Sequence, residues 1–429
     1  MCYQCCGDSK RLIINEECIM GRFTSEQKGK RLAIEIIIIF GIVSLFGDIM
    51  YEGARAVNGP YLKTLGANAA LVGLIAGLGE LLGYIVRLAS GYFADKTKAY
   101  WVFTLIGYSF LASVPLLSLT GVWQVAALFM VLERFGKALR APAKDTILST
   151  ATKHVGTGFG FGLHEAMDQL GALLGPLVFT AVFAFAGKGT DLASYQAGYA
   201  WLWIPFAVLM LSLLYAFIRV PNPETLEAIV PKKVEGEVLS KTFWLYTSFS
   251  FITTLGFVGW PILSFHYAAE GILSGAEIAL YYAIAMGVDG IIAVAIGLLY
   301  DHFKKRKDSE QGGLVTLAVI PVVSLLIPLV GFTFQTKGAA IVSAILWGIV
   351  MGTHETIMKS AIADITPIKK RGTGYGIFNT AYGLALFASS SLMGLLYDVG
   401  IVYVIVLALA AELVAIPSFL ILRKEALKK

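Results

Sequence analysis

Apolar residues gather into twelve long runs separated by polar breaks, at 34–58, 68–90, 100–119, 121–140, 158–186, 199–219, 243–267, 275–300, 312–333, 338–359, 373–397 and 400–422. A helix rising about 1.5 Å per residue needs roughly 20 apolar residues to cross the hydrocarbon layer, and each run is near or above that length. Barrel strands would need only about 10 residues, with alternating polarity. The pattern therefore predicts an all-α membrane protein with twelve transmembrane helices.

The breaks are unequal in charge. Of the 34 Lys and Arg, all but Arg55, Lys63, Lys188 and Lys337 fall in the two termini or in the segments 87–98, 134–153, 219–241, 304–307 and 359–371. These are every second connection. Basic loops are retained on the cytoplasmic face, so both ends are expected to be cytoplasmic in a multi-pass plasma-membrane protein. An odd number of spans would break the alternation through the later loops.

Composition agrees. The 429 residues are 57% hydrophobic and 15% charged, with mean hydropathy +0.73, whereas a soluble domain carries about 25% charged residues. The net charge of +5 follows the topology. No aromatic–basic alternation or finger spacing accompanies it, so no nucleic-acid partner is expected. Cys2, Cys5, Cys6 and Cys18 crowd the start without completing a zinc pattern, so no metal is expected there. They belong to a basic segment, 1–33, read as a flexible cytoplasmic leader, in which Met20 offers an alternative start. The positive stretch before Ile34 opens a full-length span and not a cleavable signal.

The longest polar interval, around 220–242, contains prolines and charges and suits a cytoplasmic linker. It divides a six-helix bundle at 34–219 from a second at 243–422, with a short tail at 423–429. The halves echo each other. Gly91-x-x-x-Asp95 closes the second span and Gly297-x-x-x-Asp301 the eighth; the string GTGFG at 156–160 enters the fifth and GTGYG at 372–376 the eleventh. Parallel repeats of six spans are a transporter plan. Asp95 and Lys96 can form a latch on one half, closing against the other, and Gly297 and Asp301 a second, backed by Lys304, Lys305 and Arg306.

With these motifs the chain resembles the major facilitator superfamily. The resemblance rests on GYFADKTK at 91–98, GLLYDHFKKR at 297–306 and the six-plus-six arrangement, and covers about 32–422. ERFGKALRAPAKD at 133–145, HETIMKSAIADITPIKKRGTGYG at 354–376 and FGDIMYEGARAVNGPYL at 46–62 look like signatures of a prokaryotic branch of it. The first loop departs from the common GxxxDRxGRR form, with Lys96 in place of Arg and Ala99-Tyr100 in place of glycine and basic residues. Membership implies a rocker-switch secondary transporter, two six-helix bundles with a path between them, and no particular cargo.

Ionisable groups at depth are costly and mark paths, relays or packing pairs. Asp48 lies near the midpoint of the first span, with Glu52 one turn further and Arg55 beyond it. His164, Glu165 and Asp168 share the fifth span, Asp168 about 15 Å in. Protonation would cancel the charge of Asp168, and His164 can share that proton. Glu80 and Asp289 are further acids at depth, and Asn379 can bond a solute. Glu133, Arg134, Lys137 and Arg140 read as the cytoplasmic end of the fourth span, with Glu133–Lys137 an i,i+4 pair and Lys144-Asp145 following. Together with Arg87 they suggest an intracellular gate, and His354, Glu355, Asp364 and Arg371 its counterpart. Trp260-Pro261 can bend the seventh span.

No GxxxxGK[ST] loop is present, which argues against ATP-driven transport, and no nucleophile–base or metal-ligand set suggests an enzyme. The leading expectation is a functional monomer, without cofactor, moving a small organic or drug-like solute by alternating access with protons as coupling ion. The acidic excess at depth favours a cationic or neutral solute, while Arg55 and Arg87 keep an anion open. The alternative is a sensor or scaffold that keeps the fold without transport.

Overall fold

The computed structural model describes residues 8–152, 157–185, 191–221, 239–307, 310–366 and 371–427. The chain is helical almost throughout. In order it forms α1 (Asp8–Thr64), α2 (Ala69–Thr97), α3 (Tyr100–Ser109), α4 (Ser113–Leu116), α5 (Trp123–Thr152), α6 (Thr157–Phe185), α7 (Leu192–Trp201) and α8 (Trp203–Arg219). The second half adds α9 (Lys241–Gly256), α10 (Trp260–Ala269), α11 (Gly275–Lys307), α12 (Val319–Gly331), α13 (Lys337–Ile365), α14 (Arg371–Val399) and α15 (Ile401–Ala426). Spans three, six and seven are each built from two helices, and a 3-10 segment precedes α12.

Among the described residues, 11 segments are long and apolar enough to cross a membrane. The remaining span, α5, falls short because Glu133, Arg134, Lys137 and Arg140 lie inside it. It also runs on to Thr152, about three turns past its expected end at 140. Helix α1 begins at Asp8, so the part of the leader from residue 8, expected to be flexible, has helical backbone. That stretch has no proline, and its Leu, Ile, Glu, Lys and Arg are acceptable helix formers. The linker lies outside the described residues from 222 to 238.

The seventh span breaks where Trp260-Pro261 suggested. Phe257 and Gly259 are extended, and α10 then starts with Pro261 in its first turn, where the missing N–H costs no helical bond.

Twelve crossings bring the start of the first span and the end of α15 to one face, here the terminal face; the opposite one is the distal face. In the first half α1 packs on α6 and α8, and α5 on α2 and α3; in the second, α13 packs on α11 and α12, and α9 on α15. The seam joins α2 to α14 and α6 to α11, with α1 against α10 and α11, and α10 against α2. Exchanging span n for span n+6 turns α2·α14 into α11·α6 and α1·α11 into α10·α2. Each of these seam pairings thus has its symmetry mate, as a six-span repeat requires.

Glycines one turn apart set the closest backbone approaches within each half. A Cβ on Gly171 would lie 2.4 Å from the Leu45 carbonyl oxygen, and one on Gly175 2.5 Å from that of Ile49. On α13, Gly348 and Gly352 approach Ala285 and Asp289 backbone oxygens equally closely, at 2.3 and 2.5 Å. Small residues let helix backbones touch where apolar burial cannot drive association. The motif glycines behave differently: a Cβ on Gly91 or Gly297 would meet only ordinary side-chain contacts, at 3.4 and 3.6 Å.

Gly175→Val is expected to destabilise the fold by about 1–3 kcal/mol through overpacking. Gly83→Val, where nothing lies within 4 Å, should leave the melting temperature in detergent unchanged. Equal melting of the two variants would refute this account of the α1–α6 contact.

Candidate functional site

The length of α5 puts residues 133–140 in its middle third and not at its end. There Arg134 reaches Glu80 on α2, Nη1 to Oε1 3.0 Å, and Glu133, Nε to Oε2 3.6 Å. It also donates to Tyr51 Oη on α1, its guanidinium 4.5 Å from the ring centroid. Glu133 therefore pairs with Arg134 and not, as the spacing suggested, with Lys137. The Lys137 ammonium instead rests 3.3 Å from the Tyr51 centroid, with no salt bridge among the described residues. Arg140 is buried against the Tyr108 ring, 4.4 Å from its centroid, and belongs to the interior of the first half.

Toward the terminal face, α1, α5 and α6 converge. The Gly171 contact brings Asp168 to Ser44, whose hydroxyl donates to its carboxylate. Asp48, one turn from Ser44, has its Cβ 3.0 Å from where a Gly171 side chain would begin. Lys144 lies 3.3 Å from buried His164 Nε2 and 3.5 Å from Asp145 Oδ1. An ammonium only donates, so the ring accepts at Nε2 and its own proton sits at Nδ1. Glu165 is exposed on the side of α6 that carries Gln169 toward Gly290 of α11.

The seam contributes a third group. Buried Glu52 accepts from Tyr282 Oη across it at 2.5 Å, and Arg55 lies 3.6 Å from the other carboxylate oxygen. The Arg55 guanidinium is 5.9 Å from both the Tyr51 and Trp347 rings. Trp260, Tyr282 and Trp347 contact one another, and the rings continue through Phe257 and His354 to Tyr382 and Tyr84. The first half thus presents most of the charges and the second most of the rings.

Several expected gate residues, and the path candidates Asp289 and Asn379, are elsewhere. His354 is inside this aromatic layer, its Nε2 without a hydrogen-bond partner among the described residues. Asp289 is 3% exposed with Oδ1 likewise unpartnered. Asp364 accepts from Lys304 at 2.9 Å and Tyr300 at 3.0 Å, tying α11 to α13 within one half. Arg87, Lys96, Asp301 and Glu355 are exposed, and Asn379 is half-buried. The side chains of Asp95 and Arg371 lie outside the described residues.

Sequence reasoning missed Tyr51, Tyr282 and Ser44, which carry no signal apart from their neighbours. It also passed over Glu412, the lone acid of the last span. Glu412 is fully buried, accepts from Thr253 at 2.7 Å and leaves Oε1 unpartnered among the described residues. A groove of about 790 Å³ between α1 and α8, beside Arg31, Glu35, Tyr215 and Arg219, stands apart from all these charges.

The family model for the Major Facilitator Superfamily matches residues 37–390 and again 245–429. The chain belongs to the major facilitator superfamily. As a member it is a multi-pass membrane protein and a secondary transporter, not an enzyme. This major facilitator protein is 36% identical over 397 residues to the uncharacterised Mycobacterium tuberculosis protein Rv2265, covering 91% of this chain and 93% of that one. It is 26% identical over 374 residues to MJ1317 of Methanocaldococcus jannaschii, described as an uncharacterised MFS-type transporter, with 85% and 88% covered. Among solved structures, a POT family transporter in complex with 5-aminolevulinic acid superposes with TM-score 0.72 at 15% identity, covering 92% of this chain and 96% of that one. The nucleoside transporter NupG gives 0.65 at 14%, covering 91% and 98%. At such identities the likeness concerns the fold alone.

Glu80→Gln should cost about 1–3 kcal/mol of stability, because it leaves Arg134 short of a charged acceptor. The double variant Glu80→Gln, Arg134→Gln should recover part of that loss in the same urea titration. A double variant that loses the sum of the two single effects would show that the pair is not coupled.

Proposed function

We propose that this protein carries a small organic solute across the plasma membrane in exchange or symport with protons, with both termini cytoplasmic. The observation that carries the reading is the convergence of Ser44, Asp48, Lys144, His164 and Asp168, on three helices, within a bilayer-spanning bundle. A carboxylate in that setting can exist charged, held by its hydrogen bond, or neutral, and changing between the two alters what the helices around it hold. A proton on His164 Nε2 has to displace Lys144. Proton arrival is thereby linked to the contact between α5 and α6. The basic residues of the terminal face support its cytoplasmic orientation, and a working monomer suffices because both halves are in one chain.

The pairings also bear on the solute. Glu80 and Glu133 face Arg134, Glu52 has Arg55 and Tyr282, and Asp168 has Ser44. Part of the acidic excess that favoured a cation is thus already engaged within the protein. Lys137, on the face of Tyr51, is the cation best able to take an acidic group of a solute whose apolar part meets the aromatic side of the seam.

Liposomes with an imposed pH gradient test both points, using a panel of small carboxylates, zwitterions and amines. Carboxylate-bearing solutes should drive proton flux in the wild type. Asp168→Asn should abolish it, and Lys137→Gln should raise the apparent KM roughly 10- to 100-fold, the loss of one charge-assisted hydrogen bond. Flux unchanged in Asp168→Asn and in Asp289→Asn would remove these acids as carriers. Silence across the whole panel would favour the sensor reading.

A further inference from the structure

At the distal face, two charges sit on helix ends that belong to the opposite half. Asp398, at the end of α14, accepts from the backbone amides of Ala69 at 3.1 Å and Ala70 at 3.0 Å, one to each carboxylate oxygen. These are the first two residues of α2, whose local cap, Asn68, serves only Leu71. The opening amides of a helix have no partners within it and carry partial positive charge. Lys63, in the last turn of α1, donates to the carbonyl of Ala268 at 2.9 Å. That carbonyl is in the last turn of α10, where unpaired acceptors carry partial negative charge. Each half thus offers a charge of the sign that the other half's helix end attracts.

Backbone contact surrounds the first of these. A Cβ on Gly73 would lie 2.1 Å from the Ser390 oxygen, and one on Gly394 2.4 Å from the Ala69 oxygen. The carboxylate reaches both amides only while α2 and α14 touch here. Neither Asp398 nor Lys63 has a salt bridge among the described residues, so separation of the two ends hands both charges to water.

We infer that Asp398 and Lys63 form a two-point clamp on the distal gate, positioning residues whose bonds exist in one state of the transport cycle and are lost in the other. The inference depends on alternating access and not on the solute or the coupling ion. Charge against a helix end suits a gate that must reopen. It is weaker than a buried ion pair, and salt screens it.

Spin labels at Gly121→Cys and Gly338→Cys report the distance across the gate, since both positions face open space in distal segments of the two halves. The four native cysteines are replaced by serine, and the full chain is placed in nanodiscs. Asp398→Asn and Lys63→Met should each raise the ratio of long to short distances roughly two- to fivefold, and together by about the product. Raising the salt concentration should move the parent in the same direction and leave the double variant unmoved. A general loss of stability would not reproduce that salt response. Because the two residues are on different helices, either variant tests the clamp if the other fails to fold. An unchanged ratio in folded protein, a shift from only one of the two, or a salt response kept by the double variant overturns it.

Discussion

A charge inside a bilayer has to be answered by the protein around it, and in this chain the demand is greatest on α5. Arg134 is met from three directions, by Glu80 on α2, by Glu133 on its own helix and by Tyr51 on α1. Those bonds fix α1 and α2 against α5, and α1 and α2 are the helices that bring Glu52, Arg55 and Tyr84 to the seam. The first half is organised around matched charge. The second has few such groups and is organised around rings, from Trp260 to Tyr382, with Asp289 and Glu412 buried among its helices. A repeat that preserves the backbone has been filled with two chemistries, and the proposed solute path runs where they face each other.

The same contrast explains which predictions from sequence held. Hydrophobic length is a bulk property, so the spans were legible to within a few residues in most cases. The fourth was cut short because its charges looked like the start of a loop, and no hydropathy profile contains Glu80 and Tyr51 on other helices. The break in span seven was visible because proline acts locally. The glycine–aspartate motifs identified the repeat and the family, yet the glycines in closest backbone contact within each half are Gly171, Gly175, Gly348 and Gly352. Their one-turn spacing is present in the sequence but is diluted among 45 glycines.

The site was legible as an inventory and not as a set of pairs. Asp48, Asp168 and His164 were found because acids and histidines at depth are rare. Their partners Ser44 and Lys144 become meaningful only once α6 lies on α1 and α5. His354 shows the converse. Its sequence neighbours Thr353, Glu355 and Thr356 are polar or acidic, but its surroundings are Phe257 and Tyr382, which come from the seventh and eleventh spans.

The interruption at Phe257–Gly259 gives the seventh span two allegiances. Below the break, α9 packs on α14 and α15 of its own half. Above it, Trp260 donates to the Ala56 carbonyl at 3.0 Å and the last turn of α10 receives Lys63, both from the first span. The part of the seventh span beyond the break is thus bonded to the other half, while the part before it belongs to its own. A rotation of one half against the other has to break the Trp260 and Lys63 bonds together. The extended residues between α9 and α10 then leave α10 able to tilt as the two halves part.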